Sequence, residues 1–204
     1  MRPNDLDGFA TKFAGDDDPW RTWTDPDEAL KRAAILHALA PGSIGRVLEL
    51  GAGNGSNSRS LAARALRLDA TEATSEGTAL VADAIRPHAA RARARRLVVP
   101  AMPPRAEYDA IVIAELLYYL DPIREMQPLA RQAAQLLRPG RTLVLAHHRI
   151  TFYDFVQRAE GIHHRFLDAT GVDWLSGFVT VTFAVPAVPE GVVQVMLVGE
   201  TTVA

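Results

Sequence analysis

Short apolar runs alternate along the chain with segments whose apolar residues recur every three or four positions. Runs bounded by turn residues are typical of buried strands, and the longer spacing is typical of amphipathic helices. The strand-like runs are residues 47–50, 68–72, 97–99, 110–114, 142–146, 178–185 and 192–198. The helix-like segments are residues 27–39, 56–66, 78–93, 123–137 and 161–170. Pro87 is expected to kink or shorten the third of these helices.

This alternation predicts an α/β fold with a mostly parallel, seven-stranded sheet and helices on both faces. Residues 110–114 are entirely apolar, so they are expected to form a central strand. The last two strands follow each other through the hairpin-like PAVPEG, which predicts an antiparallel C-terminal strand. Residues 1–26 are polar and turn-rich, so we expect a loosely packed N-terminal extension before a single domain at residues 27–204.

Composition restricts the function classes further. A chain of 204 residues supports one domain with a sizeable core, and a net charge of −2 gives no general attraction to nucleic acid or anionic membranes. The absence of cysteine excludes disulfides and thiolate chemistry, and no candidate metal site is found. Neither a signal-peptide pattern nor a membrane-spanning apolar run is present. We therefore expect a cytoplasmic enzyme or binding protein with a small-molecule ligand.

A glycine-rich turn links the first strand to the next helix, in the sequence VLELGAGNGSNS at residues 47–58. Such a turn brings a ligand close to bare backbone at the end of a parallel sheet. Dinucleotide-binding loops have glycine at the first, third and sixth positions, whereas the sixth position here is Ser56. Gly55 holds the fifth position, and Glu49 lies two residues before the first glycine.

The resulting E-x-G-x-G-x-G pattern resembles motif I of the class I S-adenosylmethionine (SAM) methyltransferases. Together with DDDPWR at 16–21, YDAIVIAELLYYLD at 108–121 and LLRPGRTLVLAHHR at 136–149, it resembles the nodulation protein S (NodS) type. Those enzymes methylate the free amine of a deacetylated chitooligosaccharide. The resemblance implies a Rossmann-like class I sheet, SAM as cofactor, and an amino-sugar or natural-product amine as acceptor. Arg141 departs from the pattern, since relatives commonly have a second glycine there.

The cofactor is expected at the ends of the first three strands. Glu72 lies about twenty residues after the glycine loop, where a carboxylate can accept both ribose hydroxyls. Glu49 is expected either to orient the loop or to approach the amino group of the ligand. The remaining candidate cofactor residues are Gly51, Ala52, Gly53, Asn57, Ala73, Ala101, Met102 and Glu115. The segment VVPAMPP lacks the acid that many relatives use to bind adenine.

The acceptor is expected beyond the fourth and fifth strands. Glu115 can orient or deprotonate an amine, or else brace its loop. His147 and His148 are candidate bases, of which at most one is expected to face the pocket, since neighbours on a strand alternate in direction. Tyr118 is a candidate catalytic residue and could form an aromatic wall with Tyr119.

The N-terminal segment offers two interpretations. Trp20 and Arg21 either close over the cofactor, with Arg21 binding its carboxylate, or anchor the segment to the domain. Asp16, Asp17 and Asp18 are interpreted as a solvated helix start, and the arginines at 91, 93, 95 and 96 as the solvated end of a helix.

Two other functions stay open. A nicotinamide-dependent oxidoreductase would share the fold and the ribose acid but is disfavoured by Ser56. A non-catalytic SAM-binding protein would bind the cofactor without turnover, because methyl transfer requires no fixed set of catalytic residues.

Overall fold

The alternating pattern folds into one sheet flanked by helices. The computed structural model describes residues 5–39, 41–101, 107–148, 156–158, 160–171, 178–184 and 192–198. The strands are β1 (Ile44–Leu50), β2 (Ala65–Glu72), β3 (Ala92–Arg96), β4 (Tyr108–Ala114), β5 (Leu137–His148), β6 (Phe178–Ala184) and β7 (Val192–Val198). The helices are α1 (Leu6–Gly15), α2 (Pro26–Ala38), α3 (Ser56–Arg64), α4 (Ser75–Ile85), α5 (Gln127–Leu136) and α6 (Ile162–Thr170).

The sheet has the strand order β3-β2-β1-β4-β5-β7-β6. The first five strands pair in parallel, and β7 runs antiparallel to both β5 and β6. The predicted α/β fold of parallel strands and helices is therefore confirmed. From β1 the chain adds β2 and β3 on one side of the sheet and β4 and β5 on the other. The carboxyl end of β1 therefore lies where open sheets of this kind form a crevice.

The central strands are buried from both sides. On one face Val47 and Val112 pack with apolar residues of α2, α3 and α4, among them Ile35. On the other face Leu48 packs with residues of α5 and α6, among them Phe166. Burial on both faces explains the continuous apolar runs that predicted these strands. It also gives the residues just beyond the strand ends a rigid support.

The third strand is not where the apolar pattern predicted it. β3 consists of Ala92–Arg96, and residues 97–99 follow it. This strand forms the edge of the sheet, so arginines alternate with Ala92 and Ala94, which pack inward. The interpretation of this basic run as a helix end is therefore wrong. The preceding helix α4 ends at Ile85, and a 3₁₀ turn at Arg86–His88 contains Pro87, which lacks the N–H needed to continue an α-helix.

The N-terminal residues are more ordered than their polar composition predicted. Asp5 begins α1 by accepting a hydrogen bond from the Gly8 N–H, and Phe13 is buried where α1 packs against α4. The sequence predicts that the acidic run begins a helix, but Asp18 does not begin one. Its carboxylate instead closes a turn by accepting bonds from the backbone N–H groups of Thr22 and Trp23. Within the described residues, no helix combines the length and apolar character needed to cross a membrane.

Candidate active site

A cavity of about 550 Å³ lies at the carboxyl ends of β1, β2, β4 and β5 and is covered by α1 and α2. Its lining brings together most of the residues predicted for the site. These are Trp20, Gly51, Ala52, Gly53, Asn57, Glu72, Ala73, Glu115, Tyr118 and His148. The lining does not include Arg21, Glu49, Ala101 or His147. Met102 lies outside the described residues.

The glycine loop brings bare backbone to the cavity. Gly51 has a φ of +69°, a left-handed conformation that side chains disfavour, and an added Cβ would lie 3.3 Å from Leu116. Gly55 has a φ of +85°, and a Cβ there would lie 2.7 Å from the Cβ of Ala84 on α4. Gly51 is therefore required for the turn itself, and Gly55 for the close packing of the start of α3 against α4.

Glu72 lies between this loop and the start of α4. Its carboxylate accepts hydrogen bonds from the N–H of Gly53 at 2.9 Å and the N–H of Thr74 at 3.3 Å. Thr74 in turn caps α4 by accepting a bond from the Gly77 N–H. Burial raises the pKa of Glu72, while these N–H bonds oppose the rise. The carboxylate is thus placed on the cavity wall by two backbone segments.

Glu49 braces the loop from behind. It is buried outside the cavity lining and accepts a hydrogen bond of 2.5 Å from the hydroxyl of Ser58 on α3. Burial raises the pKa of Glu49 to about 7, although the Ser58 bond favours the charged form. Of the two predicted roles for Glu49, this position matches the orientation of the loop. It does not match contact with a ligand in the cavity.

Glu115 is the centre of a polar cluster at the ends of β4 and β5. One carboxylate oxygen is 2.9 Å from Lys31 Nζ and 3.0 Å from His148 Nδ1. The other oxygen accepts a short hydrogen bond from the Tyr118 hydroxyl and a bond of 3.3 Å from the His148 N–H. The residue has a φ of +52°, so its backbone turns sharply just after β4.

These contacts determine the charge of the cluster. Burial by itself would raise the pKa of Glu115, but the charge of Lys31 and the hydrogen bond from His148 hold it well below its usual range. The hydrogen bond to Glu115 raises the pKa of His148 despite burial. Lys31 is also desolvated, which lowers its pKa, but the two carboxylates beside it raise the pKa overall. Glu115 is therefore a firmly ionised carboxylate, and the prediction that it deprotonates an amine does not fit this geometry.

Lys31 and Glu28 line the cavity but were not predicted as site residues from the sequence. Lys31 is 2% exposed and 2.6 Å from Glu28, which also lines the cavity. A signal was available, because Lys31 lies three and four residues before Ala34 and Ile35, on the apolar face of α2. A lysine on such a face needs a buried counter-charge, but the distant Glu115 that supplies it is not visible in the sequence.

The two neighbouring histidines point in different directions, as alternation along β5 requires. His148 lines the cavity, whereas His147 is buried and its Nδ1 lies 2.5 Å from His163 Nε2 on α6. Burial lowers the pKa of His163, and the neighbouring His147 lowers it further. His147 therefore belongs to the packing between β5 and α6. Its predicted role as a base in the pocket is not supported by this position.

The N-terminal segment reaches the glycine loop through Asn54, which was not predicted as a site residue. The Asn54 amide donates to the Asp18 carboxylate at 2.8 Å, and its oxygen accepts from the Thr22 hydroxyl at 2.9 Å. Trp20 lines the cavity and packs at an angle against Phe13. Arg21 is exposed and outside the lining, so its bond to a cofactor carboxylate stays a prediction.

The wall beyond β3 is apolar. It is formed by Leu97, Val98 and Val99, in place of the predicted Ala101, which is exposed. Tyr118 and Tyr119 form the aromatic part of the lining, with ring centroids 4.7 Å apart. Among the residues that the structure describes, no group of three histidines or acids is arranged to hold a metal ion.

The fold is similar to that of solved methyltransferase structures. The structure is similar to N-methyltransferase NodS from Bradyrhizobium japonicum WM9 in complex with S-adenosyl-L-homocysteine, with a TM-score of 0.77 and 19% identity over 95% of this chain and 97% of that one. It is also similar to DhpI in its SAH complex, with a TM-score of 0.68 and 20% identity over 96% and 95% of the two chains. The chain therefore has the α/β methyltransferase fold.

The sequence places it more narrowly. The family model of Nodulation protein S (NodS) matches residues 7–161, so the chain belongs to the NodS family. Nodulation protein S of Rhizobium tropici is 32% identical over 145 residues, which cover 65% of this chain. The match covers 56% of the length of that relative.

Proposed function

We propose that this chain is a SAM-dependent methyltransferase that acts on a small polar acceptor. The observation that carries the proposal is the position of Glu72, whose carboxylate lies on the cavity wall beside the glycine loop. A carboxylate at the end of the second strand is suited to accept the two hydroxyls of a ribose. Membership of the NodS family and a likeness to structures with bound SAH support the same cofactor.

The residues of the cavity fit SAM. Gly51, Ala52 and Gly53 bring backbone against the ligand, and Asn57 and Ala73 line the space beside them. The apolar wall at Leu97–Val99 suits the adenine ring, in the region where the sequence predicted Ala101 and Met102. The bound cofactor supplies a methyl group on a positively charged sulfur. The protein then has to hold the acceptor in line and keep a lone pair free.

An amine of an amino sugar or a related natural product is the preferred acceptor, and N-methylation is preferred over O-methylation. The relative from Bradyrhizobium japonicum is named as an N-methyltransferase. In this chain Glu115, with its firmly ionised carboxylate, orients His148, which lines the cavity and can take a proton through Nε2. Tyr118 donates to Glu115, and with Tyr119 it gives the acceptor an aromatic wall.

We also propose that residues 1–26 act as a lid on a single domain at 27–204. Trp20 on the cavity wall and the hydrogen bonds from Asn54 to Asp18 support this division. We further propose that the protein is cytoplasmic and that neither nucleic acid nor a membrane is its partner.

Incubation with methyl-labelled SAM and a panel of amino sugars and small amines tests the function. The expected product is an acceptor heavier by one methyl group, together with S-adenosylhomocysteine. Parallel titrations with SAM and NADH separate the alternatives, and binding of NADH alone would overturn the proposal. Binding of SAM without a product from any acceptor, amines and hydroxyl compounds alike, would favour a non-catalytic SAM-binding protein.

A further inference from the structure

Helix α2 places two residues of opposite charge, Lys31 and Glu28, on the acceptor side of the cavity. Lys31 is buried there, and its ammonium lies 2.6 Å from Glu28 and 2.9 Å from Glu115. Glu28 reaches past Lys31 to within 3.7 Å of Nε2 of His148. Lys31 therefore contacts the Glu115 end of the Glu115–His148 pair, and Glu28 approaches its His148 end.

The hydrogen bonds decide which member of that pair can accept a proton. Both oxygens of Glu115 already accept bonds, from Lys31 and His148 on one side and from Tyr118 and the His148 N–H on the other. His148 uses Nδ1 for Glu115, and the distance from Nε2 to Glu28 is longer than a hydrogen bond. Nε2 is therefore the proton acceptor that this arrangement offers to a ligand in the cavity.

We propose that Lys31 and Glu28 are positioning residues that hold and charge-balance the Glu115–His148 pair, so that Nε2 of His148 receives the proton of the acceptor amine. The inference rests on the proposed function. In the step, an N–H bond of the acceptor ammonium breaks and an N–H bond forms at Nε2. The electron pair stays on the acceptor nitrogen and becomes available to form the bond to the methyl carbon. As that bond forms, the bond between sulfur and methyl breaks and its electron pair goes to sulfur.

The charge balance explains why a lysine is needed here. Two carboxylates facing one imidazole would favour its protonated form, and a protonated His148 cannot take another proton. The ammonium of Lys31 offsets one of the two negative charges. Glu115 and Glu28 raise the pKa of His148, while burial and Lys31 lower it. Among the residues that the structure describes, the charged groups near this imidazole are Glu115 after β4 and Glu28 and Lys31 on α2, and Tyr118 is linked to it through its hydrogen bond to Glu115.

The test uses variants of opposite charge. Glu28→Gln removes a negative charge, so the pKa of His148 should fall by about 1 unit, and Lys31→Met should raise it by about 1 unit. The double variant should return close to the wild type. NMR titration of the His148 imidazole, assigned with His148→Gln, measures these shifts without any acceptor. Because neutral His148 is the reactive form, the acid limb of the kcat/KM profile should move in the same directions.

Matched controls are available at the end of α4 and in the 3₁₀ turn that follows it. Asp83→Asn and Arg86→Met remove the same charges from an exposed pair outside the cavity, and neither should move the titration. An unchanged His148 pKa in both Glu28→Gln and Lys31→Met would overturn the inference. If Lys31→Met does not fold, Glu28→Gln alone decides, with Lys31→Arg expected to titrate like the wild type. If the wild type does not bind SAM, the proposed function is refuted. Methyl transfer with an unmoved acid limb would refute only this inference.

Discussion

Glu72 ends β2 and Glu115 directly follows β4, so both carboxylates lie at the carboxyl ends of strands of the same sheet. Both line one cavity, yet their pKa values shift in opposite directions. Burial raises the pKa of Glu72, which is bonded to the backbone N–H groups of Gly53 and Thr74. Burial acts in the same sense on Glu115, but the charge of Lys31 and the hydrogen bond from His148 outweigh it. The difference lies in the partners, which are neutral backbone dipoles at Glu72, whereas Glu115 has the lysine cation beside it together with the His148 hydrogen bond.

The comparison separates two tasks within one cavity. At Glu72 part of the desolvation is left uncompensated, and hydroxyl groups of a bound ligand can supply further hydrogen bonds. At Glu115 the protein itself supplies the compensating charges before any ligand arrives. We therefore expect Glu72 to act in binding and Glu115 to act in turnover.

The largest effect is expected from Glu115→Gln. The change removes the negative charge that orients His148 and pairs with Lys31, so turnover should fall about 1000-fold while SAM affinity stays nearly unchanged. Steady-state kinetics with calorimetric SAM titration measure both quantities. Glu107→Gln, at an exposed residue bonded to Arg138, is the control. Equal losses in affinity and turnover would abolish the division of tasks.

The next effect is expected from Glu72→Ala. Loss of hydrogen bonds between a charged acceptor and two hydroxyls corresponds to about 3 kcal/mol, or roughly a 100-fold weaker Kd for SAM. Calorimetric titration measures the change, and Glu76→Ala on the exposed first turn of α4 serves as the control. Wild-type affinity in Glu72→Ala would remove the residue from the cofactor site.

A third prediction concerns pH and the buried Glu49. Its pKa rises from 4.5 to about 7 in the folded protein, so the folded state binds more protons than the unfolded state between these values. Stability should therefore fall as pH rises from 5 to 7 and then level off. Relative to Glu49→Gln, the wild type should lose roughly 2 to 3 kcal/mol in the free energy of unfolding between pH 5 and pH 8.

Urea denaturation of both proteins over this pH range provides the measurement. Ser58→Ala is an informative companion, because it removes the hydrogen bond that favours the charged Glu49 and should extend the fall to higher pH. Parallel pH curves for the wild type and Glu49→Gln would contradict the assigned pKa.

The smallest effect is expected from Asn54→Ala. The change removes the side-chain bonds to Asp18 and Thr22, which corresponds to about 1 kcal/mol and roughly 5-fold weaker SAM binding if residues 1–26 form a lid. Hydrogen exchange in α1 should increase at the same time. Thr11→Ala, an exposed change within α1, should alter neither quantity. Unchanged affinity together with faster exchange would indicate an anchor without a role in binding.

The local sequence pattern was sufficient to predict much of the fold and the part of the site around the glycine loop. The central strands were predictable because burial on both faces requires continuous apolar runs, as in β4. The edge strand β3 was not, because an edge tolerates arginines at exposed positions. The positions of the glycine loop and Glu72 on the cavity wall were predictable, since both depend on spacing along one strand–turn–helix unit.

The sequence by itself determined the α/β fold, the turn that requires Gly51 and the acid at the end of β2. Each depends on residues that are close together along the chain. Only the tertiary structure decided that Lys31 meets Glu115 across 84 positions, and that His148 rather than His147 faces the cavity. Those outcomes depend on how α2 packs on the sheet and on the direction in which β5 presents its side chains, and neither is encoded in local spacing.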